Sequence, residues 1–413
     1  MKHIIKLSAL AAILFVGIGF SGCKDDDFTP TIFDTKDYPL DRDIATFPLD
    51  TFIKVNFLEP YNMKFIYRME DIGSDLQKNL TPASYAKSVE LAVLSKYLWY
   101  DIYNELSKQE NPTFLQENSP RIIHVIGSKN YNPSQGTEIL GVAEGGLKIT
   151  LYNTNNLNVR DIDMMNEYFF KTMHHEFAHI LDQTHLRPTS FNTISNGHYD
   201  ASTWQNTPDS VAAGSGFVSP YASSAAREDW AEVIANYITR DTVSWERLLG
   251  AASYDWEEVD CNSLADYNKL ITPGCNLDTI GYFKESKSGS DHKIYRRMCE
   301  RNADGSVALD ANGNVVWTHK SGIDGQAIIL QKIETARKWM QDYYHISIDD
   351  LRKAVQRRQY ATNPDGTFKR NSLGRLVNAL TEPTVSDPSV TIIDSLVNEV
   401  NEYKKLMPSY VSE

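Results

Sequence analysis

Basic residues are in short supply. The chain has 41 Lys and Arg against 54 Asp and Glu, a net charge of −13 at neutral pH. A nucleic-acid binder needs a basic face for the phosphates, so this composition argues against that partner. Cysteine is scarce too, with four in 413 residues. None stands in Cys-x-x-Cys spacing, which argues against a thiolate zinc site. The apolar run at Leu7–Phe20 is too short and too terminal for a membrane span. No internal repeat is visible. What is present is 41% hydrophobic and 11% aromatic content, ample for a packed core. The length predicts two or three structural units.

Lys2 and Lys6 flank the Leu7–Phe20 run, which reads as a secretory signal. It ends in Phe20-Ser21-Gly22-Cys23, which resembles a bacterial lipobox with Phe20 where leucine is usual. That reading implies cleavage before Cys23 and lipidation of its thiol. The following Lys24-Asp25-Asp26-Asp27 resembles the acidic export signal of surface lipoproteins in one Gram-negative phylum. The expected organisation is a signal peptide over 1–22 and a lipidated Cys23 with a flexible tether to 45. A body over 46–413 comes next, in parts 46–185 and 186–413. The protein is expected on the outer membrane, facing outward and held by lipid alone, as a monomer. An exported chain can form disulfides. Cys261 and Cys275 are close enough in sequence to pair, leaving Cys299, and the odd count keeps the pairing open.

The segments 63–69 and 121–127 read as strands. Residues 83–108 carry apolar side chains at helical spacing, from Ala86 to Leu106, and predict a long helix. Residues 138–153 read as two strands around Gly145-Gly146. In the second, Leu147, Ile149 and Leu151 alternate with Lys148, Thr150 and Tyr152, as in a half-exposed strand. A helix capped by Asp161 or Asp163 comes after them, with Met165, Phe169, Met173, Phe177 and Leu181 as its stripe. Residues 186–222 read as loop, 224–240 as helix and 301–320 as a hairpin. The Asp and Asn residues of that hairpin do not complete a calcium loop. The C-terminal third reads as mostly helical, including 388–405. Strands first and helices later predict an α+β class.

The chemistry centres on His175-Glu176-Phe177-Ala178-His179. Histidines four apart on a helix share one face, about one turn apart. Neutral imidazoles bind zinc well, and Glu176 beside the first can polarise a water and shuttle its proton. A catalytic zinc needs a third protein ligand and one open position. His185 is one candidate, at His-Glu-x-x-His-x-x-Asp-x-x-His, the metzincin spacing with Asp182 where that family has glycine. On a continuing helix His185 would be rotated by about 240° from His179 and would point away. Aspartate reaches the left-handed conformation less readily than glycine, so this route stays open. The other candidate lies in 221–238. Trp230, Val233, Ile234 and Tyr237 form one face there. Glu228 and Glu232 lie four apart on the opposite face, with Ala231 and Ala235 beside them, where small residues let helices approach closely.

Tyr221, Glu228 and Glu232 stand as Tyr-x6-Glu-x3-Glu after "HEFAH". This pattern is similar to the gluzincin arrangement of anthrax lethal factor. The "GVAEGG" strands, the "EDWAE" helix and "KIETARKWMQDYYHISIDDLR" further resemble the zinc-binding metallopeptidase lipoproteins of gut bacteria. The resemblance implies a zincin-like α+β fold with a small mixed sheet, a histidine helix, a glutamate helix and a mostly helical C-terminal part. It implies Zn2+ on His175, His179 and Glu228, with Glu176 as general base. Tyr221 would stabilise the oxyanion and Glu232 would orient a histidine ligand. Asp229 falls off the Glu228–Glu232 line and is not expected to bind metal.

The expected function is therefore zinc-dependent cleavage of peptide or protein substrates, with water as nucleophile. Residues 146–152 are expected to offer an edge strand for an extended substrate. His174 and His198 are expected to be solvated or structural, and Trp204 and Trp256 to be core residues rather than glycan platforms. The rival class is a surface lipoprotein that binds peptide or glycan around a non-catalytic zinc. Against it stands the intact Glu176, which a purely structural site does not need.

Overall fold

The computed structural model describes residues 40–69, 79–132, 137–139, 141–144, 148–259, 279–286, 289–317 and 321–408. Cys23, the acidic run, Gly145-Gly146, Cys261 and Cys275 lie outside them. The fold is α+β and mostly helical. Among the described residues no helix is long and apolar enough to cross a membrane.

The main sheet has four short strands: β1 (Lys64–Ile66), β2 (Ile122–Val125), β5 (Gly141–Glu144) and β6 (Lys148–Leu151). Their order is β1-β2-β6-β5. β1, β2 and β6 run parallel, whereas β5 is antiparallel to β6. Phe65, Ile123 and Ile149 stand in register across three strands, and all are buried. Between β2 and β5 lie β3 (Asn130–Asn132) and β4 (Thr137–Ile139), a separate ribbon. The expectation of a half-exposed edge strand over 146–152 is corrected here. β6 has neighbours on both sides, and Thr150 and Tyr152 are buried along with Ile149 and Leu151. Among the described residues the edges of this sheet are β1 and β5. A Cβ on Gly141 would collide with the Thr172 methyl, so only glycine lets β5 approach the histidine helix this closely.

A parallel pair needs a crossover connection, and the long helix between β1 and β2 supplies it. It comprises α2 (Tyr85–Ser95), a π-helical turn (Lys96–Tyr100) and α3 (Asp101–Ser107). It comes after α1 (Phe47–Ile53). Ser84 caps it, accepting from the Lys87 N–H. Trp99, Tyr100 and Tyr103 emerge around the π turn into an aromatic cluster with Phe114 and Phe177. The histidine helix is built alike. Asp161 caps it through the Met164 N–H, and a π turn (Asn166–Phe170) precedes α4 (Lys171–Thr184).

Next come α5 (Ala226–Thr239), α6 (Thr242–Ala252), α7 (Gly325–Tyr344), α8 (Ile348–Gln359) and α9 (Ile392–Asn401). Residues 186–222 are less loop-like than expected, with short helical stretches at Phe191–Ile194, Trp204–Asn206 and Asp209–Gly214. The order of strands before helices also fails. A second, antiparallel sheet comes after α6, with β7 (Trp256–Val259), β8 (Thr279–Ser286) and β9 (Gly289–Arg297) in the order β7-β9-β8.

An internal repeat exists after all. The bridges Arg301↔Val307, Leu309↔Val315 and Cys299↔Trp317 recur as Thr362↔Phe368, Arg370↔Leu376 and Tyr360↔Asn378. In each unit three extended stretches close a ring of backbone hydrogen bonds, through Glu300, Ala308 and Val316 or Ala361, Lys369 and Val377. The expected 301–320 hairpin is the first of these rings. Mostly turn residues recur in sequence, notably the left-handed glycines Gly305 and Gly366, with Gly313 and Gly374, so the repeat is hard to see there. Cys299 is buried and carries no disulfide.

Candidate metal centre

α4 and α5 pack directly against each other, and Ala178, Ala231 and Ala235 are buried. Small side chains on these helices suit a close approach of the two polar faces. His175 and His179, one turn apart on α4, place their Nε2 atoms 3.1 Å apart. Glu228, in the first turn of α5, brings Oε2 to 3.2 Å from each Nε2. The three atoms form a nearly equilateral triangle. Among the described residues this is the one His/Cys/Asp/Glu group with metal-binding geometry.

The triangle fits zinc. Ligand atoms of a tetrahedral site with bonds of 2.0–2.1 Å stand about 3.3 Å apart. The donor chemistry fits as well. A carboxylate only accepts, so His175 Nδ1 must donate its proton to Glu232 Oε1, at 2.9 Å. Its Nε2 lone pair is then free to face the centre. Glu232 is itself fixed, since Oε2 accepts from Ser219 Oγ at 2.5 Å and Asn236 Nδ2 at 3.0 Å.

Electrostatics at the site is dominated by this cluster. Burial disfavours the imidazolium of His175, but Glu228 and Glu232 outweigh it and raise its pKa to about 10. Burial would also raise the two carboxylates. Instead Glu228 is held well below the usual range by hydrogen bonds and charge from both histidines. Glu232 is held low by the Lys171 charge together with His175 and Ser219. Glu176 goes the other way, because its burial outweighs the nearby imidazoles and raises its pKa. A raised carboxyl pKa suits proton transfer near neutral pH.

Tyr221 is 38% exposed, and its ring lies 5.9 Å from that of His175. Burial, followed by the charge and hydrogen bonding of Glu228, pushes its phenol upward. Trp204 meets Tyr221 edge-on at 5.0 Å and is half-buried, so it belongs to the rim of the site rather than to the core. Trp256, also half-buried, donates to the Ala251 carbonyl away from the site.

His185 lies elsewhere. α4 ends there in extended backbone. The imidazole stacks on Tyr343 at 4.8 Å, and the His185 carbonyl accepts from Trp339. Asp182 explains the missing glycine, since its carboxylate takes the Arg187 N–H at 2.6 Å and pairs with the Arg187 guanidinium. That contact turns the chain without a left-handed residue. His174 is buried against Tyr103, 3.0 Å from its hydroxyl, and His198 is exposed. Asp229 is buried in an ion pair with Lys332 at 2.7 Å and accepts from Tyr199. Sequence reasoning missed Ser219, Asn236, Arg227 and Lys332. Asn236 was within reach, four residues beyond Glu232 on the same face. Lys332 carries no local signal, because it arrives from more than a hundred residues away. A cavity of about 700 Å³, lined by Tyr85, Val89, Ile393 and Val397, shares no residue with this site.

A family model described as putative zinc-binding metallo-peptidase matches residues 42–349. The chain belongs to that family. Its fold is similar to a crystal structure described as a putative zinc-binding metallo-peptidase from Bacteroides caccae. The two are 33% identical, the match covers 75% of this chain and 91% of that one, and the TM-score is 0.52. Among curated proteins, no match is found. The family match spans both helices of the site.

Proposed function

We propose that this family member is a zinc-dependent endopeptidase of the gluzincin type. The observation that carries the reading is the triangle of His175 Nε2, His179 Nε2 and Glu228 Oε2 with Glu176 beside it. A purely structural zinc is closed by four protein ligands, whereas three leave one position open. Bound there, zinc would polarise the peptide carbonyl and ease deprotonation of water. Glu176 would take the proton from the attacking water onto its carboxylate and pass it to the leaving amine nitrogen. The Tyr221 hydroxyl would donate to the developing oxyanion, an interaction whose loss costs roughly 3 kcal/mol in comparable sites. Glu232 would hold the His175 ring in place. An extended substrate would pair along the edge strand β5.

The N-terminus belongs to the same reading. The Phe20–Cys23 motif would provide a lipid anchor at Cys23 and the acidic run would direct the protein to the outer surface. Substrates would then be peptides or proteins outside the cell.

The test is cleavage of an unstructured protein such as casein by the soluble body, with wild type and Glu176→Gln compared. Cleavage lost to chelator, restored by zinc and absent from zinc-loaded Glu176→Gln is expected. Equal cleavage by Glu176→Gln would overturn the general-base assignment.

A further inference from the structure

Glu228 uses its two oxygens differently. Oε2 faces both histidines. Oε1 accepts from Arg227, with Nη2 at 2.9 Å and Nε at 3.2 Å, so two donors of one guanidinium converge on it. We propose that Arg227 is a positioning residue that keeps Glu228 a single-oxygen zinc ligand. This rests on the zinc reading above.

A carboxylate beside a metal can bind through one oxygen or chelate through both. Chelation by Glu228 would fill the region where the fourth ligand must enter, and a catalytic zinc needs that position open. An oxygen held by two N–H groups of a planar guanidinium is turned away from the metal. The fork geometry matters, since lysine presents a point charge without paired, coplanar donors.

Arg227 is also misplaced for any role in the helix itself. It sits in the first turn of α5, whose backbone N–H groups make that end positive. A cation there opposes the helix dipole, while Glu228 and Asp229 suit it. The Arg227 side chain is 63% exposed, so it contributes little to the core. Its substitution is therefore expected to leave the fold intact, which makes the role testable.

The experiment compares wild type, Arg227→Ala and Arg227→Lys as folded, metal-free proteins. Each is titrated with zinc against a competing chelator, then loaded with cobalt(II). Cobalt absorption reads the coordination number directly, because four-coordinate ions absorb more strongly than five-coordinate ones. The expected result is zinc affinity lowered about tenfold in Arg227→Ala, the scale typical of groups that orient a ligand. Its cobalt band should weaken and shift toward five-coordination, and Arg227→Lys should behave likewise. Wild-type affinity and spectrum in Arg227→Ala would overturn the role. Full restoration by Arg227→Lys would overturn the fork as its cause. A wild type that takes up neither metal would sink the zinc reading and this role together.

Discussion

His175 Nδ1 and Glu232 Oε1 are 2.9 Å apart, and the Glu232 carboxylate is held at its other oxygen by Ser219 and Asn236. The His175 imidazole is thus fixed in ring orientation and tautomer by a buried carboxylate one helix away. The arrangement explains why α5 carries two glutamates on one face. Glu228 reaches the centre and Glu232 reaches behind it.

On the proposed reading, Glu232→Ala is expected to weaken zinc binding about 10- to 100-fold while His175, His179 and Glu228 remain. Chelator competition measures this. Affinity within twofold of wild type would show that His175 needs no support from Glu232.

His185→Ala is expected to leave zinc binding unchanged. Its imidazole stacks on Tyr343, so the loss falls on stability, at about 0.5–1.5 kcal/mol. Urea unfolding of the metal-free protein reads that term without interference from zinc.

Removing zinc should destabilise the fold. The site joins α4 to α5, and only the folded chain presents the triangle. At zinc concentrations about a hundredfold above Kd the bound ion contributes roughly 2.7 kcal/mol. Thermal melts with and without chelator should differ accordingly. Identical melting temperatures would mean that the metal does not bind the native state.

Lys332→Met should be among the most damaging single changes outside the His175, His179 and Glu228 triangle. It strands Asp229, fully buried, and removes the ammonium that also donates to the Gly216 carbonyl. Breaking a buried pair from one side costs roughly 3–5 kcal/mol. A double variant with Asp229→Leu should recover part of that loss, because no unpaired charge is left inside. Additive losses in the double variant would count against the pair.

The histidine helix and the glutamate helix were legible because their candidate site residues repeat at one-turn spacing. The cap at Asp161 and the stripe from Met165 to Leu181 obey the same periodicity. The sheet was less legible. Strands of three or four residues carry little pattern, and the alternation in β6 resembled a half-exposed strand although Thr150 is buried as well as Ile149 and Leu151. The π turns at Lys96–Tyr100 and Asn166–Phe170 leave no mark in the residue types. The choice between His185 and Glu228 depended on where α4 ends and on the direction the chain takes beyond it. The Asp182–Arg187 contact and the stacking on Tyr343 decide where His185 goes, and periodicity along α4 encodes neither.

The most direct test is zinc stoichiometry in the folded soluble body of wild type, Glu228→Ala and His185→Ala. The account predicts one zinc per chain in wild type and in His185→Ala, and loss of tight binding in Glu228→Ala. Full zinc in folded Glu228→Ala, with loss in His185→Ala, would contradict it and move the third ligand to the end of the histidine helix.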